Sequence, residues 1–168
     1  MRLIFVSVIL TCAVSSVACR RPHVRPSPQD NDPRVPLTLN ERLAQQIPGF
    51  GGLFRQKDAS IAVYLIDLSG ERRARKVVQL ERLREGAKEA PLQFLKGQYT
   101  YVELRRIHAT IPNLGRGISG YGPDISRNRY LIQITSEKEI APVCAILRKA
   151  QLPLKAFIIE IAPLAEVL

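Results

Sequence analysis

Ile118-Ser119-Gly120-Tyr121-Gly122-Pro123-Asp124-Ile125-Ser126-Arg127-Asn128-Arg129-Tyr130-Leu131-Ile132-Gln133-Ile134-Thr135 is the stretch from which the fold can be read. Two apolar runs, Ile118 to Gly122 and Arg129 to Thr135, flank Pro123 to Asn128, a turn rich in Pro, Asp, Ser and Asn, which is the signature of a β-hairpin. Just upstream, Thr100-Tyr101-Val102-Glu103 is a capping box that opens a helix. Tyr101, Leu104, Ile107 and Ile111 recur on it at helical spacing, and Pro112-Asn113 stops it. Downstream, Ser136-Glu137-Lys138-Glu139 reads as another capping box, and Ile140, Cys144 and Leu147 are expected on one face. Pro142 falls a turn into this helix, which therefore either bends there or begins near Ala141. Lys155 to Ile161, after Pro153, reads as a strand.

The same grammar runs through the upstream half. Thr38-Leu39-Asn40-Glu41 caps a helix with Leu39, Leu43 and Ile47 on one side, stopped by Pro48-Gly49. Gly52 to Arg55 and Ser60 to Asp67 form a hairpin around Gln56-Lys57-Asp58-Ala59. A helix from Glu71 to Gly86 follows, with Ala74, Val77, Val78 and Leu80 expected inward. The order predicts an α+β domain: two β-hairpins plus a final strand in a mostly antiparallel sheet, with helices packed on one face. Hairpin-then-helix occurs twice, but no strong sequence repeat accompanies it.

The N-terminus carries an address. Arg2, the apolar run Leu3 to Val14 and the small residues Ser16 and Ala18 have the form of a secretory signal, with residues 1–18 expected to be removed. The run is too short for a membrane span of roughly 20 apolar residues. Cleavage before Cys19 fits two routes. In the bacterial lipoprotein signal, small residues precede an obligatory Cys whose sulfur is acylated; Val17 and Ala18 match, while Ser16 stands where that pattern usually has an aliphatic residue. Ordinary cleavage after Ala18 is the other route. The expectation taken forward is lipidation of Cys19, with two or three chains holding the protein stably on a membrane. Residues 19–37 contain Pro22, Pro26, Pro28, Pro33 and Pro36 among polar residues and read as a disordered tether, about 3 Å per residue and about 50 Å in reach. Residues 38–168 are expected to form a single domain. The localisation implied is exported, in the bacterial cell envelope and membrane-anchored, with free secretion as the alternative.

Composition limits the chemistry. The chain has 168 residues, 25 Lys plus Arg against 15 Asp plus Glu, a formal charge of +10 and a 46% apolar fraction. That suffices for one core of about 130 residues. Of the three cysteines, Cys12 leaves with the signal. If Cys19 is acylated, Cys144 has no disulfide partner. If it is not, a Cys19–Cys144 bridge would pin the linker to a helix. A domain without disulfides rests on its core.

Gly115-Arg116-Gly117-Ile118-Ser119-Gly120 spells GxGxxG, but a helix precedes it and a strand follows. That reverses the context in which phosphate meets a helix N-terminus, so no nucleotide is expected. Gly117-Ile118-Ser119-Gly120 also misses the nucleophile-elbow spacing by one position. His23 lies in the linker, which leaves His108 as the sole histidine of the domain. A metal site would then depend on carboxylates and one thiol, so neither metal nor cofactor is expected. Cys144 sits among Ile140, Val143 and Leu147, where a thiol behaves as a small hydrophobe. Ser119, His108 and Asp124 share only composition with a catalytic triad. The expectation is a protein that is not an enzyme.

The charge concentrates on the helix from Glu71. Arg72, Arg73, Arg75, Lys76, Arg82 and Arg84 are candidate polyanion-binding residues, set against Glu71, Glu81 and Glu85. Two readings stand side by side: a solvated face with i,i+4 pairing between Glu71 and Arg75, or a surface for polyanions. Nucleic acid is not expected, because stacking aromatics are missing from this helix. An anionic membrane surface suits the charge better.

One family resemblance gathers along residues 50 to 135. Phe50-Gly51-Gly52-Leu53-Phe54, Ile61-Ala62-Val63-Tyr64-Leu65-Ile66-Asp67, Tyr101-Val102-Glu103-Leu104, and Asp124 with Asn128-Arg129-Tyr130-Leu131-Ile132 resemble the small α/β pro-region of bacterial streptogrisin-type serine peptidases. The resemblance implies a hairpin, a helix and a second hairpin whose return strand opens with Asn-Arg. It also implies a domain that assists folding of its protease and then inhibits it, through the sheet and a C-terminal tail lying in the active site like a product. Pro163, Leu164, Ala165, Glu166, Val167 and Leu168 would be that tail. Read as ending at Leu168 with no protease beyond it, the chain is expected to act either as an inhibitor of a secreted peptidase in trans or through another use of the fold. The leading expectation is a non-catalytic envelope accessory or interaction domain; the inhibitor or folding assistant is the alternative.

Overall fold

Thr38 and Thr100 open two helices in the same way. Each threonine side chain accepts from the backbone N–H three residues on, and Glu41 or Glu103 reaches back to the threonine N–H at 2.7 Å. The structure, a computed structural model, describes residues 37–162. The helices are α1 (Leu39–Gln46), α2 (Glu71–Arg84), α3 (Tyr101–Thr110) and α4 (Ile140–Lys149). The strands are β1 (Phe50–Arg55), β2 (Ile61–Leu65), β3 (Leu92–Lys96), β4 (Ile118–Asp124), β5 (Arg129–Ile134) and β6 (Phe157–Ile161).

The class is α+β, with the strands divided between two three-stranded mixed sheets, β1-β2-β3 and β4-β5-β6. Each hairpin is antiparallel, and each third strand pairs parallel to the hairpin's return strand. The expected mostly antiparallel single sheet therefore becomes two small sheets, each half parallel. The difference comes from β3, which follows Pro91 and ends in Lys96. A short edge strand with a proline at its entry carries little strand signal.

The chain is thus two successive copies of one unit, α-β-β-α-β, and the copies agree in register. Phe50 pairs with Leu65 and Gly52 with Tyr64, a bulge leaving Gly51 over; Ile118 pairs with Ile134 and Gly120 with Gln133, leaving Ser119 over. Ile66 N–H donates to Gly49 O at 2.9 Å, and Thr135 N–H to Gly117 O at 2.8 Å. Gly97 N–H donates to Leu65 O and Ala162 N–H to Ile134 O, both at 2.8 Å. A 3-10 turn, Leu68–Gly70 or Glu137–Glu139, leads into the second helix of each unit. Both of those helices end on a left-handed residue, Gly86 (φ 67°) and Gln151 (φ 58°), with Ala87 N–H reaching back to Arg82 O and Leu152 N–H to Leu147 O.

Two departures in α4 follow from that 3-10 turn. Ser136 makes no capping hydrogen bond, and the α-helix begins at Ile140, which puts Pro142 in the first turn where its missing N–H costs nothing. The buried stripe is Val143 and Leu147, matching Ala74 and Val78 of α2; Ile140 is 41% exposed and Cys144 half-buried. Leu147 is thus buried as expected, but Val143 takes the place expected of Cys144, and Ile140, the first residue of the helix, stays exposed. On α2, Ala74 and Val78 are buried as expected, but Leu80 is 58% exposed and points away from the core.

Each unit has its own core. Leu43, Phe50, Val63, Leu65 and Val78 fill the first; Leu104, Tyr130, Ile132, Ile134 and Leu147 fill the second, and Ile125 packs against both. Burying each such side chain contributes about 1.5–3 kcal/mol. The units are joined through Asn128, which is 1% exposed and takes a left-handed backbone (φ 50°) after the 3-10 turn Ile125–Arg127. Its Oδ1 accepts from Gln98 N–H at 2.6 Å and Tyr99 N–H at 2.9 Å; its Nδ2 donates to Tyr99 O at 2.7 Å and Gly51 O at 3.1 Å. One amide thus ties the second hairpin to the inter-unit connection and to β1. Gly51 makes room for it: a β-carbon there would lie 2.8–2.9 Å from Tyr64 Cβ, Asn128 Nδ2 and Tyr99 O.

Candidate functional site

The six basic residues of α2 do not form one patch. Arg75 bonds Glu71 at 2.7 Å and lies over the Phe94 ring at 4.9 Å. Arg82 is 8% exposed and donates to Lys88 O at 2.6 Å, which secures the segment after the helix. Arg84 donates to Glu81 Oε1 at 2.6 Å. Arg72, Arg73 and Lys76 are exposed. Three of the six are therefore paired within the fold, Arg84 while still exposed, and Arg72, Arg73 and Lys76 carry the charge of the outward face.

The acids of α2 explain the division. Glu81 is buried against α1, where it accepts from Gln46 Nε2 at 3.1 Å and Arg42 Nε at 2.9 Å, while Glu85 pairs with the same arginine. Hydrogen bonds from Gln46 and Arg42 outweigh burial and hold the Glu81 carboxyl below its usual value. Glu71 is occupied by Arg75. The outward side of the helix carries Arg72, Arg73, Lys76, Gln79, Leu80 and Leu83, with no carboxylate among them. Leu80 and Leu83 are 58% and 63% exposed, the two most exposed large apolar side chains among the described residues. Sequence reading found the charge but placed Leu80 inward. Four-residue spacing from Lys76, rather than apolar character, is the signal that would have put it outside.

The other chemistry-bearing residues are dispersed. His108 is exposed at the end of α3, its Nδ1 2.8 Å from the Tyr130 hydroxyl, in a cluster with Tyr121 and Phe157. Burial pushes the Tyr130 phenol well above its usual pKa. Asp124 accepts from Ser126 Oγ and from Arg127, which also pairs with Glu160. Burial works to raise the Asp124 carboxyl, but these donors prevail and it lies below its usual value. Ser119 is exposed on β4. His108 and Asp124 are thus each committed to different neighbours. Among the described residues, no group of three His, Cys, Asp or Glu is placed to hold a metal, and no helix is long and apolar enough to cross a membrane.

The glycine segment Gly115–Gly120 follows a helix and runs into β4, as its flanks predict. It borders an open concavity of about 580 Å³ lined also by Ile111, Asn113, Leu114 and Tyr121. Cys19, the signal, residues 19–36 of the tether and Pro163 to Leu168 lie outside the described residues. Comparison with protein-family models and with curated proteins finds no match. The fold and surface define the chain as a duplicated α+β protein with one basic, leucine-bearing helix face.

Proposed function

We propose that this protein is an exported, lipid-anchored, non-catalytic accessory domain of the bacterial cell envelope. The observation that carries the reading is the order Arg2, the apolar run Leu3 to Val14, Ser16-Val17-Ala18 and Cys19, ahead of a proline-rich linker. The way the domain employs its polar groups supports it. His108, Asp124 and Glu81 are engaged with tyrosine, arginine and glutamine partners that hold the fold together. Mass spectrometry of the mature N-terminus tests the anchor: Cys19 bearing acyl mass is expected, with Cys19→Ser moving the protein from the membrane to the soluble fraction. An unmodified Cys19 terminus overturns it.

A second reading is a stand-alone inhibitor or folding assistant of a secreted serine peptidase. It is favoured by Asn128-Arg129 at the start of β5, the position where streptogrisin-type pro-regions place that pair, and by a hairpin, helix and second hairpin in the same order. On this reading the mature protein slows turnover of a peptide substrate by bacterial chymotrypsin-like proteases, and removal of residues 163–168 abolishes the effect. No inhibition at micromolar protein rejects it.

A further inference from the structure

We infer that the outward face of α2 is a docking surface for an anionic lipid bilayer, with Leu80 and Leu83 entering the headgroup boundary and Arg72, Arg73 and Lys76 meeting the lipid phosphates. The inference rests on the envelope reading above, because a tethered domain is the one that meets a bilayer continuously. Its physical basis is the sorting of side chains around the helix. Residues 72, 73, 76, 80 and 83 share one side through steps of three and four, whereas Glu71, Glu81 and Glu85 turn away and are taken up by Arg75 and Arg42. A helix that only needed to be soluble would mix both signs on its exposed face. Here that face bears cations toward its N-terminal half and two exposed leucines toward its C-terminal half, so a single bilayer surface meets both, and charge attraction and apolar contact add. Soluble polyanions would be served by the cations alone and leave the leucines without a role.

The test uses the mature chain from residue 19 with Cys19→Ser, so that acylation cannot carry it to the membrane. Co-sedimentation with phosphatidylglycerol-containing vesicles is expected, with none on pure phosphatidylcholine and release at raised salt. Arg72→Gln with Arg73→Gln and Lys76→Gln, or Leu80→Gln with Leu83→Gln, should each weaken binding at least about tenfold. Arg148→Gln with Lys149→Gln, on the exposed end of α4, should leave it unchanged. Since the chain has no tryptophan, Leu83→Trp supplies a single reporter whose emission should shift to the blue on adding anionic vesicles. No vesicle binding, binding insensitive to the α2 substitutions, or an unshifted Leu83→Trp emission overturns the inference. So does equal binding to heparin with the leucine substitutions neutral, which would identify a plain polyanion surface. Because no acyl group is present in this assay, failure of docking is separable from failure of the Cys19 anchor.

Discussion

Asn128 concentrates more of the fold in one side chain than any other polar residue described. Its amide uses both donors and its acceptor on backbone groups from β1 and the inter-unit connection. Asn128→Ala leaves those buried groups unpaired, each at a cost of about 1–3 kcal/mol where water cannot replace the bond, and puts Ala in a left-handed conformation that Asn tolerates better. A loss of about 3 kcal/mol is expected as a lowered urea midpoint at unchanged m. Gly51→Ala should cost about 1–3 kcal/mol by overpacking against Tyr64 and Asn128. Gly122→Ala, which meets nothing within 4 Å, should stay within about 0.5 kcal/mol. Of these residues, the Asn-Arg dipeptide and the Gly51-Gly52 pair stood out in the sequence, but their contact did not. Residues 51 and 128 are brought together only by tertiary packing, and no local propensity encodes that.

At the level of elements, the α1–α2 contact is electrostatic as well as apolar, because buried Glu81 receives Arg42 and Gln46 from α1. Glu81 is ordinarily half-protonated near pH 4.5 and is held lower in the fold, as are Asp58, Asp67 and Asp124. A lowered folded-state pKa gives stability that is present above the ordinary value and drains away as pH falls through the folded one. Thermal unfolding should therefore be steady near neutrality and fall below about pH 4.5, with Glu81→Gln flattening that fall. At the end of α4, Gln151 occupies the left-handed position that Gly86 fills in α2. Gln151→Gly should be stabilising by up to about 1 kcal/mol, read as a raised melting temperature. Helix starts at Thr38 and Thr100 were legible because a capping box is local chemistry. The start of α4 was not: Ser136-Glu139 spells a cap, yet the chain there forms a 3-10 turn like that of Leu68–Gly70, imposed by how the strand feeds the helix. Strand β3 was hidden because it is a short edge strand entered through Pro91 and carries no β-branched residue, unlike β6 with Ile158, Ile159 and Ile161.

For the molecule as a whole, duplication was the feature least visible in the residues. Counterparts such as Phe50 and Ile118, Leu53 and Tyr121, or Ile61 and Tyr130 agree only in being apolar, since packing constrains volume and character rather than identity. The bulge, the backbone bonds and the helix ends carry the likeness instead. Because Ile125 packs against both cores and Asn128 bonds across them, the two units should unfold in one transition, with backbone and aromatic probes giving coincident urea curves. A fragment of residues 37–97, short of both contacts and near the lower size limit for an independent core, is expected to show no cooperative transition. Stacked arrays carry a further consequence, since every member but the last is covered by its successor. Among the described residues, the seat at Gly51-Gly52 is filled by Tyr99, Ile125 and Asn128, whereas Ser119-Gly120, its counterpart, borders the groove beside Ile111 to Gly115. By the shared register, Ser119 and Gly120 are the positions that a third module's equivalent of the Asn128 turn would have to meet, and there a side chain stands where the first unit has Gly51.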